Sequence, residues 1–181
     1  PKRCNTAAWT ESIGEIRGMI RFEKPQAKYI PSFWKTLDTV AKEGKYLSMR
    51  AAFPLEETEK FVQNTIEQDL PQLFVIEDET DECVGWCDAL PKDKKTGSLG
   101  MGLLPAYREQ GIGKRLITAI IECCKVYGYA SIELDVLASN KRAIHVYQSM
   151  GFQQTGITTD GWQGIQGNTI TQDVVQMRLM L

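Results

Sequence analysis

From residue 99 to residue 113 the chain reads LGMGLLPAYREQGIG, an apolar strand running straight into a glycine-rich turn that opens a helix. That junction constrains everything else. The first N–H groups of an α-helix have no intrahelical partner, and the aligned peptide dipoles place about half a positive charge at that end. A tight turn into a helix is therefore a site for an anion such as a phosphate. Gly111 and Gly113 remove the Cβ atoms that would hold a bulky diphosphate away from the backbone. Lys114 and Arg115 fall in the first helical turn, where a cation opposes the helix dipole unless something negative binds there.

Two rival phosphate motifs fail on inspection. A P-loop requires G-x-x-x-x-G-K-[ST], whereas here Lys114 is followed by Arg115, which has no hydroxyl for a magnesium ion. A dinucleotide fingerprint requires a third glycine where the chain has Leu116, and no acidic residue closes a βαβ unit in the expected way. What remains is R-x-x-G-x-G, Arg108 to Gly113, placed after a strand.

A second segment, SNKRAIHVYQSMGF at 139–152, puts Asn140, Ala143, Tyr147 and Met150 on one helical stripe. Gly151 stops that helix, and Phe152 starts the next strand. With both segments in this order and spacing, the chain resembles the GNAT superfamily of acyl-CoA-dependent N-acyltransferases. Arg108, Gly111 and Gly113 match its R/Q-x-x-G-x-G/A turn; Asn140, Ala143, Tyr147, Gly151 and Phe152 match its N-x-x-A-x-x-x-Y-x-x-x-G-F segment. The resemblance is strong from about residue 72 to residue 155.

Composition agrees with a single domain at 18–181 preceded by an N-terminal extension at 1–17. The 181 residues carry a formal charge of -2 and a pI near 5.6, which suggests no bulk attraction to nucleic acid or to an anionic membrane. Five cysteines, Cys4, Cys83, Cys87, Cys123 and Cys124, are odd in number, with two adjacent on a helix, so they form no secreted disulfide framework. Cys83, Cys87 and the lone His145 lack the second ligand pair a zinc site needs. No stretch suits a signal peptide or a membrane span, so the sequence reads as soluble and cytoplasmic.

Hydrophobic periodicity predicts strands near 18–24, 72–77, 83–90, 96–104, 131–137, 152–159 and 170–180. Helices are expected near 30–43, 56–69, 111–127 and 140–150. Ile112, Leu116, Ile120, Cys123 and Tyr127 sit at helical spacing, while Phe74, Val75 and Ile76 form a buried run. Residues 77–82, Glu-Asp-Glu-Thr-Asp-Glu, read as a solvated hairpin turn. The order βααβββαβαββ is the one the resemblance implies: an α/β (α+β) fold with a mixed sheet flanked by helices. The sheet would be splayed between the strand before the glycine turn and the strand at 131–137, the gap admitting a pantetheine arm.

Chemistry limits the roles further. An alkyl amine with a pKa of about 10.4 is neutral to the order of one part in a thousand at pH 7, so a proton must leave it. A thiolate leaving group benefits from a proton donor. The resemblance assigns that acid to Tyr147; packing with Ala143 and Met150 is the plain alternative. It further implies acetyl-CoA as acyl donor, without a metal, bound by Met101, Leu103, Arg108, Glu109, Gln110, Gly111, Ile112, Gly113, Lys114 and Asn140. Helix capping also explains Asn140 by itself. Many members of the family carry a glutamate where this chain has Ser98, leaving the base open among Asp88, Glu133, Asp135, His145 and water. His145 reads as a surface residue. The acceptor side offers Phe33, Trp34, Tyr46, Phe53 and Trp162.

The expected activity is N-acetylation of a primary amine, on a small molecule or a peptide, by direct attack in a ternary complex. A homodimer is compatible with it, and neither nucleic acid nor membrane is expected as partner. A catalytically silent acyl-CoA-binding module, suggested by Ser98, is the alternative, as is an acetyltransferase acting on a protein N-terminus or another macromolecule. A toxin-like enzyme directed at the ribosome is disfavoured by the acidic pI.

Overall fold

A computed structural model describes residues 19–47, 49–161 and 172–181. The N-terminal extension with Cys4, and Trp162, lie outside the described residues. Seven strands form one sheet: β1 (Ile20–Glu23), β2 (Gln72–Glu77), β3 (Cys83–Pro91), β4 (Thr96–Leu103), β5 (Ser131–Leu137), β6 (Gln153–Thr158) and β7 (Val174–Met180). Among the described residues four α-helices accompany them: α1 (Ile30–Lys42), α2 (Leu55–Glu67), α3 (Ile112–Tyr127) and α4 (Lys141–Ser149). The expected order βααβββαβαββ is the order observed. The spatial order is β1-β2-β3-β4-β5-β7-β6, so the closing strand inserts between β5 and β6.

β4 and β5 are parallel and pair only over Thr96–Ser98 with Ser131–Glu133. Beyond Ser98 the strands part. β4 continues to Leu103 paired with β3 alone, which leaves its other edge without a strand partner where it runs toward α3.

Alternation along the strands divides the core in two. Leu73, Val75, Cys87, Leu99 and Leu103 pack with Leu116, Ile117 and Ile120 of α3. Phe74, Ile76, Cys83 and Trp86 pack with Phe33 and Val40 of α1 and with Val62 of α2. Phe33 stacks on Phe74 at 4.6 Å and meets Trp86 edge-on at 5.7 Å. Such pairs add about 0.5–1.5 kcal/mol each beyond their burial.

Four expectations are refined. Tyr127 is 41 % exposed, because α3 leaves the core after Cys124; Gly128 at φ 100° then ends the helix. The 77–82 turn is ion-paired as well as solvated, with Asp78 and Asp81 on Arg21 and Asp81 also on Lys28. The closing strand begins at Val174, with 162–171 outside the described residues. Cys83 and Cys87 face opposite sides of the sheet because a bulge between them shifts the β2–β3 register. They cannot converge on one ion, and among the described residues no cluster of three metal-ligating side chains exists.

Candidate functional site

The gap between β4 and β5 leads directly to the start of α3. Gly111 caps that helix at φ 76°, in the left-handed region that L side chains rarely adopt, and an added Cβ there would meet no atom within 4 Å. At Gly113 a Cβ would touch Met101 Cε at 3.5 Å and Leu103 Cδ1 at 3.8 Å, which is ordinary contact. No side chain caps the helix, and no acidic residue lies in its first turn. The first intrahelical bond from the turn is Arg115 N–H to Gly111 O at 3.2 Å. The N–H groups of Ile112, Gly113 and Lys114 therefore precede any intrahelical acceptor and point out of the helix end. An uncapped helix start, open over two glycines and lined by Met101 and Leu103, fits a diphosphate with an extended apolar arm.

The surrounding residues shape this turn. Arg108 gives Nε–H to Leu103 O at 2.9 Å and both terminal nitrogens to the Glu43 carboxylate at 2.8 and 2.5 Å, with the Tyr46 ring below it at 5.0 Å. This bidentate fork ties the turn to the end of α1. Glu109, at φ 67°, pairs with Arg142 in the first turn of α4, so the turn and α4 are joined at the solvent edge. That pair is exposed, and its contribution to stability is small. Gln110 gives its side-chain amide to Ala106 O at 2.7 Å. Asn140 is the N-cap of α4, its Oδ1 accepting from Ala143 N–H at 3.2 Å, which leaves its NH2 as a donor for other use.

Tyr147 is buried on α4, 5.7 Å from the Phe152 ring between centroids. Desolvation, helped by the neighbouring Cys87 thiol, holds its hydroxyl well above the usual tyrosine range, so it keeps its proton. Cys87 is opposite Met101 in the β3–β4 register. Tyr147 thus belongs to the core on the α3 side of the sheet, the one that contains Cys87 and against which Met101 packs.

The acidic residues have different fates. Glu133 is held between Lys92 and Arg178, which keep its carboxyl below the ordinary range and fully ionised. Ser98 lies beside it in register. Asp135 and His145 are exposed. Asp88 is buried on β3, opposite Gly100, and burial raises its carboxyl to about 7. Its signal in the sequence is an acid inside the otherwise apolar strand CVGWCDALP.

Of the aromatic acceptor-side candidates, Phe33 belongs to the core rather than to a pocket, being 1 % exposed. Trp34 gives its indole N–H to Phe53 O at 2.7 Å and so fixes the α1–α2 loop, from which the Phe53 ring projects. Sequence reasoning had no means of finding Glu43, 65 residues from the arginine it holds.

Comparison with known proteins supplies the family. The family model described as "Acetyltransferase (GNAT) family" matches residues 34–152, and the chain belongs to that family. N-acetyltransferase 8 of Homo sapiens is 30 % identical over 89 residues, 46 % of this chain and 39 % of that protein. The ribosomal protein bS18-alanine N-acetyltransferase of Escherichia coli is 40 % identical over 63 residues, 32 % of this chain and 43 % of that protein. The match thus spans about two-fifths of the length of these relatives. A phosphinothricin acetyltransferase from Sinorhizobium meliloti, crystallised with AcCoA, superposes with a TM-score of 0.78 at 16 % identity, covering 90 % of this chain and 88 % of that one.

Proposed function

We propose that the chain is an N-acetyltransferase that passes an acetyl group from acetyl-CoA to a primary amine by direct attack in a ternary complex. The observation that carries the reading is the parting of β4 from β5 after Ser98, which opens onto the uncapped N-terminus of α3. The N–H groups of Ile112, Gly113 and Lys114 hold the pyrophosphate, with Gly111 and Gly113 keeping the approach clear. Met101 and Leu103 line the arm, and Asn140 offers its free NH2 to the pantetheine amides. Glu109 and Gln110 shape the turn through their contacts with Arg142 and Ala106. Arg108 acts by positioning: with its guanidinium on Glu43 and Leu103 O, it sets the turn and ties it to the acceptor side.

Tyr147 supplies the proton that the departing thiolate needs. Its hydroxyl stays protonated across the working range, because burial disfavours the tyrosinate. A covalent acetyl-enzyme is disfavoured by the same physics. Cys87 is in the same core as Tyr147, and its burial with Asp88 beside it raises its pKa well above the ordinary thiol value. Only the thiolate is a competent nucleophile, so this cysteine stays idle.

An amine-panel assay for CoA release tests the reading, with small alkyl amines, polyamines and peptides bearing a free N-terminus. Turnover on any of them is the expected result. Tight acetyl-CoA binding without turnover across the panel would favour the silent module.

A further inference from the structure

We propose that Asp88 is the general base of this site: the carboxylate on β3 that lies over Gly100, where β4 parts from β5, takes the proton from the acceptor nitrogen. The inference rests on the acetyltransferase reading above and supplies the group which that reading lacks.

Placement is the first argument. Asp88 is opposite Gly100 on β4 and opposite Gln72 on β2. Gln72 accepts a 2.7 Å bond from Thr65 of α2, so this row of side chains lies on the α1–α2 face. Gly100 is two residues past the last β4–β5 pair. Its lack of a side chain is what lets the acid in, since a Cβ there would come within 3.1 Å of Asp88 Oδ1. At Gly102 the Trp86 ring occupies the corresponding space, 2.3 Å from where a Cβ would be. The space over the β4 glycines is thus taken by the Asp88 carboxylate at Gly100 and by the Trp86 ring at Gly102. Tyr147 lies in the core on the other face, against which Met101, the next residue along β4, is packed. The two proton-handling groups therefore stand on opposite sides of one strand, one toward the incoming amine and one toward the outgoing sulfur.

Surroundings supply the second argument. Asp88 is 7 % exposed and has no cationic partner among the described residues, an expensive arrangement for an acid with only a structural role. Gln72 Nε2 makes no hydrogen bond of normal geometry, yet it lies close enough to favour the ionised carboxylate, as does the backbone of Gly100. Desolvation outweighs both, and the resulting value of about 7 suits a base at neutral pH. The one titratable group whose environment Asp88 is seen to perturb is Cys87, which faces the other side. Thr65, Gln72 and Gly100, from α2, β2 and β4, do not titrate. The charges elsewhere on this side are Glu133 with Lys92 and Arg178, Asp38 with Lys42 on α1, and Asp135, exposed on β5 opposite Gln176.

The step balances as follows. The neutral amine forms the C–N bond to the acetyl carbon, and the Asp88 carboxylate accepts one proton from that nitrogen. The C–S bond breaks with its electron pair on sulfur, and Tyr147 gives the sulfur one proton. Asp88 then releases a proton to solvent, and Tyr147 takes one back.

The test is the pH dependence of turnover for the full chain and for Asp88→Asn, using a weakly basic amine that stays neutral throughout the range. The parent should show an acidic limb near 7, and the variant should lose that limb with a fall in turnover of about 10²- to 10⁴-fold. Its acetyl-CoA affinity should be unchanged. Gly100→Ala provides a second variant if Asp88→Asn folds poorly. It pushes the carboxylate aside by a few tenths of an ångström, and turnover should drop about tenfold at unchanged acetyl-CoA affinity. Retention of the limb and the rate in Asp88→Asn, or in Gly100→Ala where only that variant is measurable, overturns the assignment. Absence of parent turnover on every amine fails the underlying reading instead, and the assignment falls with it.

Discussion

Replacing Asp88 by Asn should stabilise the protein, by an amount that depends on pH in a defined way. Its carboxyl is raised from 3.8 to about 7 in the folded chain, chiefly by desolvation. Each pKa unit corresponds to about 1.36 kcal/mol, so a rise of about three units costs the folded state about 4 kcal/mol once both states are ionised. Below about pH 3.8 the acid is protonated in both states, and there is no penalty. Between about 4 and 7 the unfolded chain has lost the proton while the folded chain keeps it, so stability falls as pH rises; above about 7 the penalty is constant. Asn cannot ionise and escapes the effect. Urea unfolding of parent and variant from pH 4.5 to pH 8 should therefore give a stability difference that grows by about 1.4 kcal/mol per pH unit and then levels off. Other acids titrate in the same interval, but they are common to both proteins and cancel. A difference that is flat with pH, or that favours the parent near neutrality, would refute the claim that this carboxylate is held in a desolvated site. The expected cost to stability in exchange for a reactive group is a familiar feature of active sites.

Three further outcomes follow from the geometry. Gly113→Val should abolish most of the melting-temperature rise produced by CoA, and Gly113→Ala, whose Cβ makes only ordinary contacts, should fold normally while binding more weakly; equal affinity by calorimetry would remove the turn from the phosphate site. Tyr147→Phe keeps the ring packing against Phe152, so stability and acetyl-CoA affinity should hold while turnover falls by about 10²- to 10⁴-fold on a substrate limited by chemistry; an unchanged kcat would leave water as the proton donor. Glu43→Gln breaks the fork on Arg108 and should cost about 1–2 kcal/mol of stability with a severalfold weaker acetyl-CoA affinity; an unaltered affinity would confine the pair to the scaffold.

The element order was legible because it is written locally, whereas the parting of β4 from β5 was expected only from the family resemblance. The apolar run LFVI, helical spacing from Ile112 to Cys123, and the glycine turn each sit within one segment. What was not legible is non-local. Insertion of β7 between β5 and β6 follows from pairings such as Asp135 with Gln176, which no short pattern announces. The motif position of Arg108 suggested a direct phosphate contact, while the guanidinium is committed to a glutamate on another element. Glu133 read as a candidate base until Lys92, from the β3–β4 turn, and Arg178, from β7, came to it. Phe33 looked as suitable for a pocket as for the core, and only its stacking on Phe74 decided between them. Asp88 was one acid among several, and burial opposite a glycine distinguishes it.

The central claim is direct transfer within a ternary complex, and rapid-quench analysis with acetyl-labelled acetyl-CoA tests it most directly. With no amine present the account predicts no label on the protein and no released CoA, because Cys87, in the same core as Tyr147, is buried and held protonated. Adding a competent amine should then give N-acetylated product and CoA in equal amounts within one turnover. Label on the chain before any amine is added, at Cys87 or elsewhere, would contradict the account.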